Sequence, residues 1–458
     1  MKNLNRGKSE RHDAGFDSRN LALSILAKIE SEKSYANLVV PNELKKNSLE
    51  PRDSAFVTEL VYGTLRKQIF YDKIIESASG RKLPKIDAIP LQILRLTAHQ
   101  LLALETPPHA AVDSAVRLTV RNKHGSASGF VNAVSRRISE RGTGEWLEYL
   151  LANSDPIDAL ALEFSHPRWI VDEYLKRLEN YDAVRRELEA NNRNPRVTGV
   201  IYPGHEWSTS TLAASEPCEW VPAARYLHGN PENIAEISNR TGGIQDQGSY
   251  LVAQALALAP TVNRQSPTQV PLWLDMCAGP GGKAALLSRW AREQQARFLA
   301  MELSEHRAAL MTRMTSEVVV ADGTMPPLTP ESAAKILVDA PCSGLGALRR
   351  RPDARVRKMP AELPGLVAIQ RQLLDSASEL LAVGGVMAYV TCSPVAVETI
   401  GNIQWFVQAH PGFELIDARP FFPKDVELPE RFDVQLWPGL HHTDAMYVAL
   451  LQKKCSTR

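Results

Sequence analysis

Two cysteines and four acids stand out in this chain because each lies at the end of a short apolar run. The run Leu272–Met276 leads into Asp275-Met276-Cys277-Ala278-Gly279-Pro280-Gly281-Gly282-Lys283, which opens a helical stretch. Glycines there let the backbone pass close to a ligand, and a helix N-terminus offers free N–H groups. A phosphate-binding Walker loop needs Gly at position 277 and Ser or Thr at 284, where the chain has Cys277 and Ala284. A dinucleotide GxGxxG also fits poorly, because Pro280 and Lys283 fall where it expects a free residue and a small helix-packing one. The plain alternative is an ordinary tight βα turn, for which Gly-Pro-Gly-Gly-Lys is elaborate.

Glu302 ends the second apolar run and Asp322 follows the third. In doubly wound folds an acid at the second strand tip takes the ribose hydroxyls of an adenosine-type ligand. Two acids at successive tips beside a glycine-rich loop point to a nucleoside cofactor, and Lys283 is placed to pair a carboxylate on it. The fourth run ends in Asp339-Ala340-Pro341-Cys342-Ser343-Gly344 and the fifth in Thr391-Cys392-Ser393. Both cysteines then look into one crevice. A buried structural thiol is the plain reading for Cys218 and Cys455. It is weaker for Cys342 and Cys392, which sit in turns beside small polar residues. A thiolate there, near cationic neighbours, would be activated by a lowered pKa. Five cysteines without a CxxC spacing make neither a disulfide framework nor a zinc site, so no metal is expected.

These tips need a scaffold, and the rhythm from about residue 241 to 458 supplies it. Apolar runs at Leu272–Met276, Phe298–Leu303, Val318–Ala321, Lys335–Asp339 and Val386–Thr391 have the character of buried parallel strands. Helical stretches at Lys283–Arg292, Ser304–Met314, Leu363–Leu381 and Val395–His410 separate them, and a late strand, Met446–Leu451, closes the chain. Repeated βα units predict an α/β domain of Rossmann-like, doubly wound type, with ligands outside the carboxyl ends of the strands. Residues 145–240 read as a small α+β connector. Residues 18–144 read as all-α, with apolar residues at helical spacing in Leu21–Ile29, Phe56–Leu65, Leu91–Leu104, Ala110–Val120 and Gly129–Ile138, hence five or six helices. Residues 1–17 read as a disordered lead.

Composition agrees with a globular protein: 458 residues, 44% hydrophobic, 23% charged, net charge +1. At roughly 100–200 residues per domain the length suggests more than one core. No run of about 18 apolar residues exists to span a membrane, and the polar start lacks a signal peptide. A cytoplasmic protein with reduced thiols is expected. The near-zero charge hides two basic blocks: Arg117, Arg121, Lys123, Arg136, Arg137 and Arg141 in the helical third, and Arg349, Arg350, Arg351, Arg355, Arg357 and Lys358 after the first cysteine motif. Such blocks are either solvated faces or contacts for nucleic acid.

Taken together, Asp275–Lys283, Asp339–Ser343 and Thr391–Ser393 resemble, in order and spacing, the RNA cytosine-5 methyltransferases that use S-adenosylmethionine. The helical third resembles the NusB-type RNA-binding fold carried by the branch of that family acting on 16S ribosomal RNA. Gly243-Ile244-Gln245-Asp246-Gln247 and Arg349-Arg350-Arg351-Pro352-Asp353 extend the likeness over nearly the whole chain. The departures are Ala284 for Thr, Glu302 for Asp, Thr399 for Asn, and His441–Met446 in place of a glycine-rich segment. The resemblance implies cofactor contacts from Cys277, Ala278, Gly279, Pro280, Gly281, Gly282 and Lys283, with Glu302 at the ribose, Asp322 near the adenine and amino-acid portions, and Asp339 facing the methyl and the target base. It makes Cys392 the nucleophile, Cys342 the product-release residue, and the block 349–358 an RNA contact, in a protein expected to be a monomer. A DNA-type enzyme would take its nucleophile from the Pro-Cys motif, a transfer-RNA enzyme usually lacks the helical domain, and a non-catalytic RNA-binding factor would not need this full set.

Overall fold

The computed structural model describes residues 3–262, 270–315 and 317–455. The chain forms two compact units, Met1–Asp172 with Arg350–Arg357, and Glu173–Arg349 with Lys358–Arg458. The expected connector therefore does not stand alone. Its first part belongs to the helical unit, its remainder to the second unit, and the boundary falls inside the helix Arg168–Leu178.

The helical unit holds, between residues 18 and 141, seven α-helices among the described residues rather than five or six. The first runs from Asn3 to Ser31, so the lead expected to be disordered is helical from Asn3 onward. The turns at 18–31 are nucleated by burying Ala22, Ile25, Leu26 and Ile29, and extension from an existing helix spares the cost of nucleation, although Gly7 and Gly15 are poor helix formers. Those side chains pack with Val57, Leu60 and Val61 of Pro51–Arg66 and with Ile93, Leu94 and Leu96 of Ala88–Leu102 in one apolar core. Polar anchors cross that core. Arg95 grips Asp72 through two bonds of 2.6 and 2.8 Å, and Tyr71 meets His99 at 3.0 Å.

In the second unit a four-stranded antiparallel sheet carries Thr198–Ile201 between Ala224–Tyr226 and Gly242–Ile244, with Glu216–Pro217 at the edge. The larger sheet is built from β1 (Leu272–Asp275), β2 (Arg297–Glu302), β3 (Val318–Val320), β4 (Ala333–Asp339), β5 (Leu381–Thr391), β6 (Phe413–Ile416) and β7 (Tyr447–Lys453). The spatial order is β6-β7-β5-β4-β1-β2-β3, and Val434–Gln435 pairs with β7 as an eighth short strand. Strands β1 to β5 run parallel, while β7 inserts antiparallel between β5 and β6, pairing Ala449 with Tyr389. The expected α/β sheet is present. The antiparallel edge strand β6 was not anticipated from sequence, because its four residues Phe-Glu-Leu-Ile are interrupted by a charge and lack the continuous apolar run of β1 and β3.

Two buried lysines show how closely the helices cover this sheet. Lys335, in mid-β4, donates to the carbonyl of Ala257 near the C-terminus of the helix Gln247–Leu258 at 2.6 Å and lies over the Trp273 ring. Lys453 does the same for Ser378 and Leu381 at the end of Leu363–Leu380. A cation at a helix C-terminus meets the negative end of the helix dipole and the carbonyls the helix leaves unpaired.

Candidate functional site

Parallel pairing places the ends of β2, β1, β4 and β5 side by side, so Glu302, Asp275, Asp339 and Thr391 share one edge of the sheet. The loop after β1 is held by acids rather than by apolar packing. Cys277 N–H donates to Asp275 at 3.3 Å, and Gly279 N–H donates to Glu302 at 2.9 Å. A Cβ on residue 279 would lie 2.3 Å from that Glu302 oxygen, so only glycine lets the loop close on the acid. Glu302 itself is 2% exposed. Its other oxygen accepts from Ser304 N–H at 2.8 Å and pairs with Arg307 at 2.6 Å. Asp322, half-buried beyond β3, accepts from the Thr324 N–H and hydroxyl at 2.8 and 2.7 Å, which hold its carboxyl below the usual range.

Two buried atoms beside the loop have no partner. Asp275 is fully buried, and its second carboxylate oxygen accepts no bond. Burial, with Asp339 nearby and Lys283 opposing, pushes this carboxyl up to about 8. The side-chain oxygen of Gln245 is likewise unpaired, although its nitrogen donates to Ser249 at 3.0 Å. Gln245 sits about 3.5 Å from where a Cβ on Gly282 would be, at the start of the helix Gly282–Glu293. Buried polar atoms are almost always satisfied, so a protonated carboxyl and an amide oxygen left unpaired around a glycine-lined helix start fit a ligand carrying both acceptors and donors. A nucleoside with an amino-acid end is such a ligand, and the residues present fit S-adenosylmethionine.

Across the same edge, Lys283 donates to Asp339 at 2.8 Å. Burial disfavours the ammonium, but Asp339, with Cys392 and Asp275, more than offsets that and raises its pKa. The partner expected for Lys283 was a ligand carboxylate; in the structure it is a protein one. Beyond this pair lie the cysteines, whose sulfurs are 3.4 Å apart. The bond to Cys392 and burial, with the Cys392 and Glu398 charges adding, push the Cys342 thiol well up. The thiolate form is therefore disfavoured at Cys342. Gly346 N–H donates to the Cys392 carbonyl at 2.9 Å while Ala445 N–H donates to the Gly346 carbonyl at 2.9 Å. A Cβ at 346 would lie 2.3 Å from the Ala445 oxygen and 2.8 Å from that of Cys392, so glycine is required at this crossing.

The basic run behaves differently from its expected role as an RNA contact. Arg349 is buried, bonded to Asp246 and Asp444 at 2.9 Å each and to the His442 carbonyl at 3.0 Å. Arg355, fully buried in the helical unit, donates to the carbonyls of Arg66, Ser165 and Phe164, where two helices end. Arg357 bonds the Ile29 carbonyl at 2.8 Å, and Lys358 pairs with Glu362 at 3.3 Å. Arg350 is half-buried within that unit, and only Arg351 is exposed. In place of the expected RNA-facing role, Arg349 and Arg355 are buried on acids and helix-end carbonyls distant in sequence, and the half-buried Arg357 bonds the Ile29 carbonyl. The second basic block keeps an open face, with Arg121, Lys123, Arg136, Arg137 and Arg141 exposed on the helical unit.

Sequence reasoning did not assign roles to Gln245, Asp246, Glu398 or Asp444, nor to Asp275 beyond its place in the loop. The one signal it held was the repeated Cys-Ser pair at both strand tips. Among the described residues no helix is long and apolar enough to cross a membrane, and no cluster of three metal-ligating side chains occurs.

Known proteins share this arrangement. Residues 258–452 match the family described as 16S rRNA methyltransferase RsmB/F, and residues 17–140 match the NusB family. A putative methyltransferase of Mycobacterium tuberculosis, Rv1407, is 39% identical over 456 residues, covering 95% of this chain and 96% of its own. The probable ribosomal RNA small subunit methyltransferase B of Bacillus subtilis is 30% identical, covering 95% and 98%. The crystal structure of PH0851 superposes with a TM-score of 0.77 over 95% of this chain and 99% of that one at 20% identity, which establishes a common fold.

Proposed function

The chain belongs to the RsmB/F family of 16S rRNA methyltransferases, and from that membership we propose that it forms 5-methylcytosine in 16S ribosomal RNA, with S-adenosylmethionine as methyl donor. The observation that carries the cytosine-5 chemistry is the pair of thiols 3.4 Å apart beside the Lys283–Asp339 ion pair.

The bound cofactor supplies an electrophilic methyl group. Residues 277–283 would hold its amino-acid end, with the protonated Asp275 carboxyl as a donor and the Gln245 amide oxygen as an acceptor to it, Glu302 at the ribose and Asp322 near the adenine and amino-acid portions. Cytosine C5 is too weak a nucleophile to take a methyl directly, so the Cys392 thiolate adds to C6 and the ring gains its electron pair. The Lys283 ammonium passes a proton through the Asp339 carboxylate to N3 as that charge builds, and takes it back when the adduct breaks down; such proton positioning is worth about 10²–10⁴-fold. After C5 has taken its methyl, the C5 proton must leave and the C6–S bond must break. Cys342 serves both needs: its thiol proton passes to the departing Cys392 sulfur, and the thiolate so formed takes the proton from C5.

To reach the crevice the target base must leave its stack, at a cost of about a few kcal/mol. Phosphate contacts offset that cost, and the exposed cations of the NusB-type unit are the surface for them. We place the protein in the cytoplasm, with its substrate. Sequencing for 5-methylcytosine in 16S ribosomal RNA from cells with and without this protein tests the reading. Loss of one such site on deletion is expected, and an unchanged 5-methylcytosine map overturns it.

A further inference from the structure

Glu398, which precedes Thr399, has been given no role above, yet its carboxylate is the point on which both cysteine turns converge. It is fully buried, in the short turn Ala396–Glu398 that follows β5. One oxygen accepts from Ser343 N–H at 2.8 Å and from Gln370 at 3.1 Å. The other accepts from the hydroxyls of Ser343 at 2.5 Å and Ser393 at 2.6 Å. Ser343 directly follows Cys342, and Ser393 directly follows Cys392. Four donors around one buried carboxylate call for its acceptor-only, ionised form.

The glutamate is in turn fixed. Its backbone carbonyl accepts from Tyr389 at 2.7 Å, Asn402 bonds both Tyr389 and Gln370, and Gln370 also holds the Pro341 carbonyl at 2.9 Å. The strand β5, the helices Leu363–Leu380 and Ile400–Ala409, and the two cysteine turns are thus tied to one carboxylate.

We propose that Glu398 is a positioning residue of the two-cysteine site: by binding the serine that follows each cysteine, it holds the two thiols at proton-transfer distance and keeps a negative charge on the Cys342 side of the pair. This deepens the cytosine-5 reading and rests on it. The charge bears on the division of labour, since a nearby anion disfavours a thiolate at Cys342 and leaves that form to Cys392.

The test is Glu398→Gln in the full-length protein, which keeps the shape but turns an acceptor oxygen into a donor facing the serine hydroxyls. Displacing a reacting group by about 1 Å can cost about 100-fold in rate. A fall of that order in kcat is expected, with the dissociation constants for S-adenosylmethionine and RNA unchanged. Iodoacetamide labelling followed by peptide mass spectrometry, which needs no RNA, reads the pair itself. The wild-type protein should label at Cys392 in preference to Cys342, and Glu398→Gln should narrow that preference. Ser343→Ala and Ser393→Ala each remove one tie and keep the carboxylate, so they test the clamp if the Gln variant misfolds; each should lower kcat and narrow the labelling preference with S-adenosylmethionine affinity unchanged. Full kcat with unchanged labelling in Glu398→Gln, or in both serine variants, overturns the proposal. A wild-type protein that labels as expected but transfers no methyl to cytosine sinks the cytosine-5 reading instead and leaves the clamp standing.

Discussion

The two halves of the crevice are built on opposite principles. On the cysteine side, both oxygens of the buried Glu398 carboxylate are fully engaged by donors from the flanking turns. On the loop side, the second oxygen of Asp275 and the amide oxygen of Gln245 are buried with no partner at all. A satisfied buried charge holds geometry, and an unpaired buried polar atom leaves a cost of about 1–3 kcal/mol that a ligand can remove. The Glu398 cluster on the cysteine side is complete in the protein alone, whereas the loop half is completed by what binds it. Substitutions on the first side should therefore act on turnover, and those on the second on cofactor affinity and on the stability of the free protein.

The largest effect should come from the thiols. Cys392→Ala should abolish methyl transfer, because nothing adds to C6 and C5 stays unreactive. Cys342→Ala should still attack and methylate, but the product should stay attached. Denaturing gel electrophoresis with labelled RNA should then show a protein–RNA band for Cys342→Ala and none for Cys392→Ala or the double variant. Neither change should alter cofactor binding by calorimetry. If Cys392→Ala gives the band and Cys342→Ala is inert, the roles are exchanged, as in the DNA-type arrangement.

On the loop side, the next effect is one of pH. Burial raises the Asp275 carboxyl to about 8 in the folded protein, whereas an unfolded chain titrates near 4. The fold thus keeps a proton that the unfolded chain gives up. Its contribution to stability is fully present below about pH 4 and is lost as pH rises toward 8, on the order of a few kcal/mol over that window. Urea unfolding of wild type and Asp275→Asn between pH 4.5 and 8.5 measures this. The wild-type advantage should shrink steadily with pH, and parallel curves for the two proteins would contradict it.

The half-and-half character of the crevice was only partly legible in the sequence. The strand ends Asp275, Glu302, Asp339 and Thr391 were readable, because parallel βα units bring successive carboxyl tips to one edge whatever fills the helices. The approach of Cys342 to Cys392 was foreseeable to that extent, though not its distance. Glu398 was opaque, since its meaning depends on a short turn folding back under two loops that lie elsewhere in the chain. Arg349 and Arg355 misled for the same reason. A run of six cations within ten residues looks solvated until Asp246, Asp444 and the helix-end carbonyls of Arg66 and Phe164 arrive from distant segments. The helical extension from Asn3 to residue 17 was missed because nothing there alternates apolar with polar; propagation from an already packed helix needs no such pattern.

A smaller effect, on affinity, is expected at Glu302. It braces the loop through Gly279 and is the candidate partner of the ribose hydroxyls. A hydrogen bond to a charged group is worth about 1.5–3 kcal/mol, so Glu302→Ala should weaken S-adenosylmethionine about 10- to 100-fold by calorimetry. The iodoacetamide preference between Cys392 and Cys342 should be unchanged. A variant that also loses that preference would show that the two halves are not independent.

Gln245 should give the smallest effect and the sharpest reading of the comparison. Its side chain is 8% exposed, its nitrogen is bound to Ser249, and its oxygen meets nothing in the protein. Replacing it by Leu removes the Ser249 bond, which costs about 1 kcal/mol, and also removes a buried unpaired acceptor, which returns a similar amount. The melting temperature of the free protein should therefore hardly move. If the oxygen serves a donor on the cofactor, the bound state loses a bond with nothing regained, and affinity should fall about 10-fold, or about 1.4 kcal/mol. The thermal shift produced by saturating S-adenosylmethionine should shrink accordingly in Gln245→Leu. An unchanged free protein with a diminished ligand shift is the signature of an acceptor held open for a ligand. A lower melting temperature with the full ligand shift would make Gln245 an ordinary packing residue, leaving Asp275 as the one open polar group argued for the loop half.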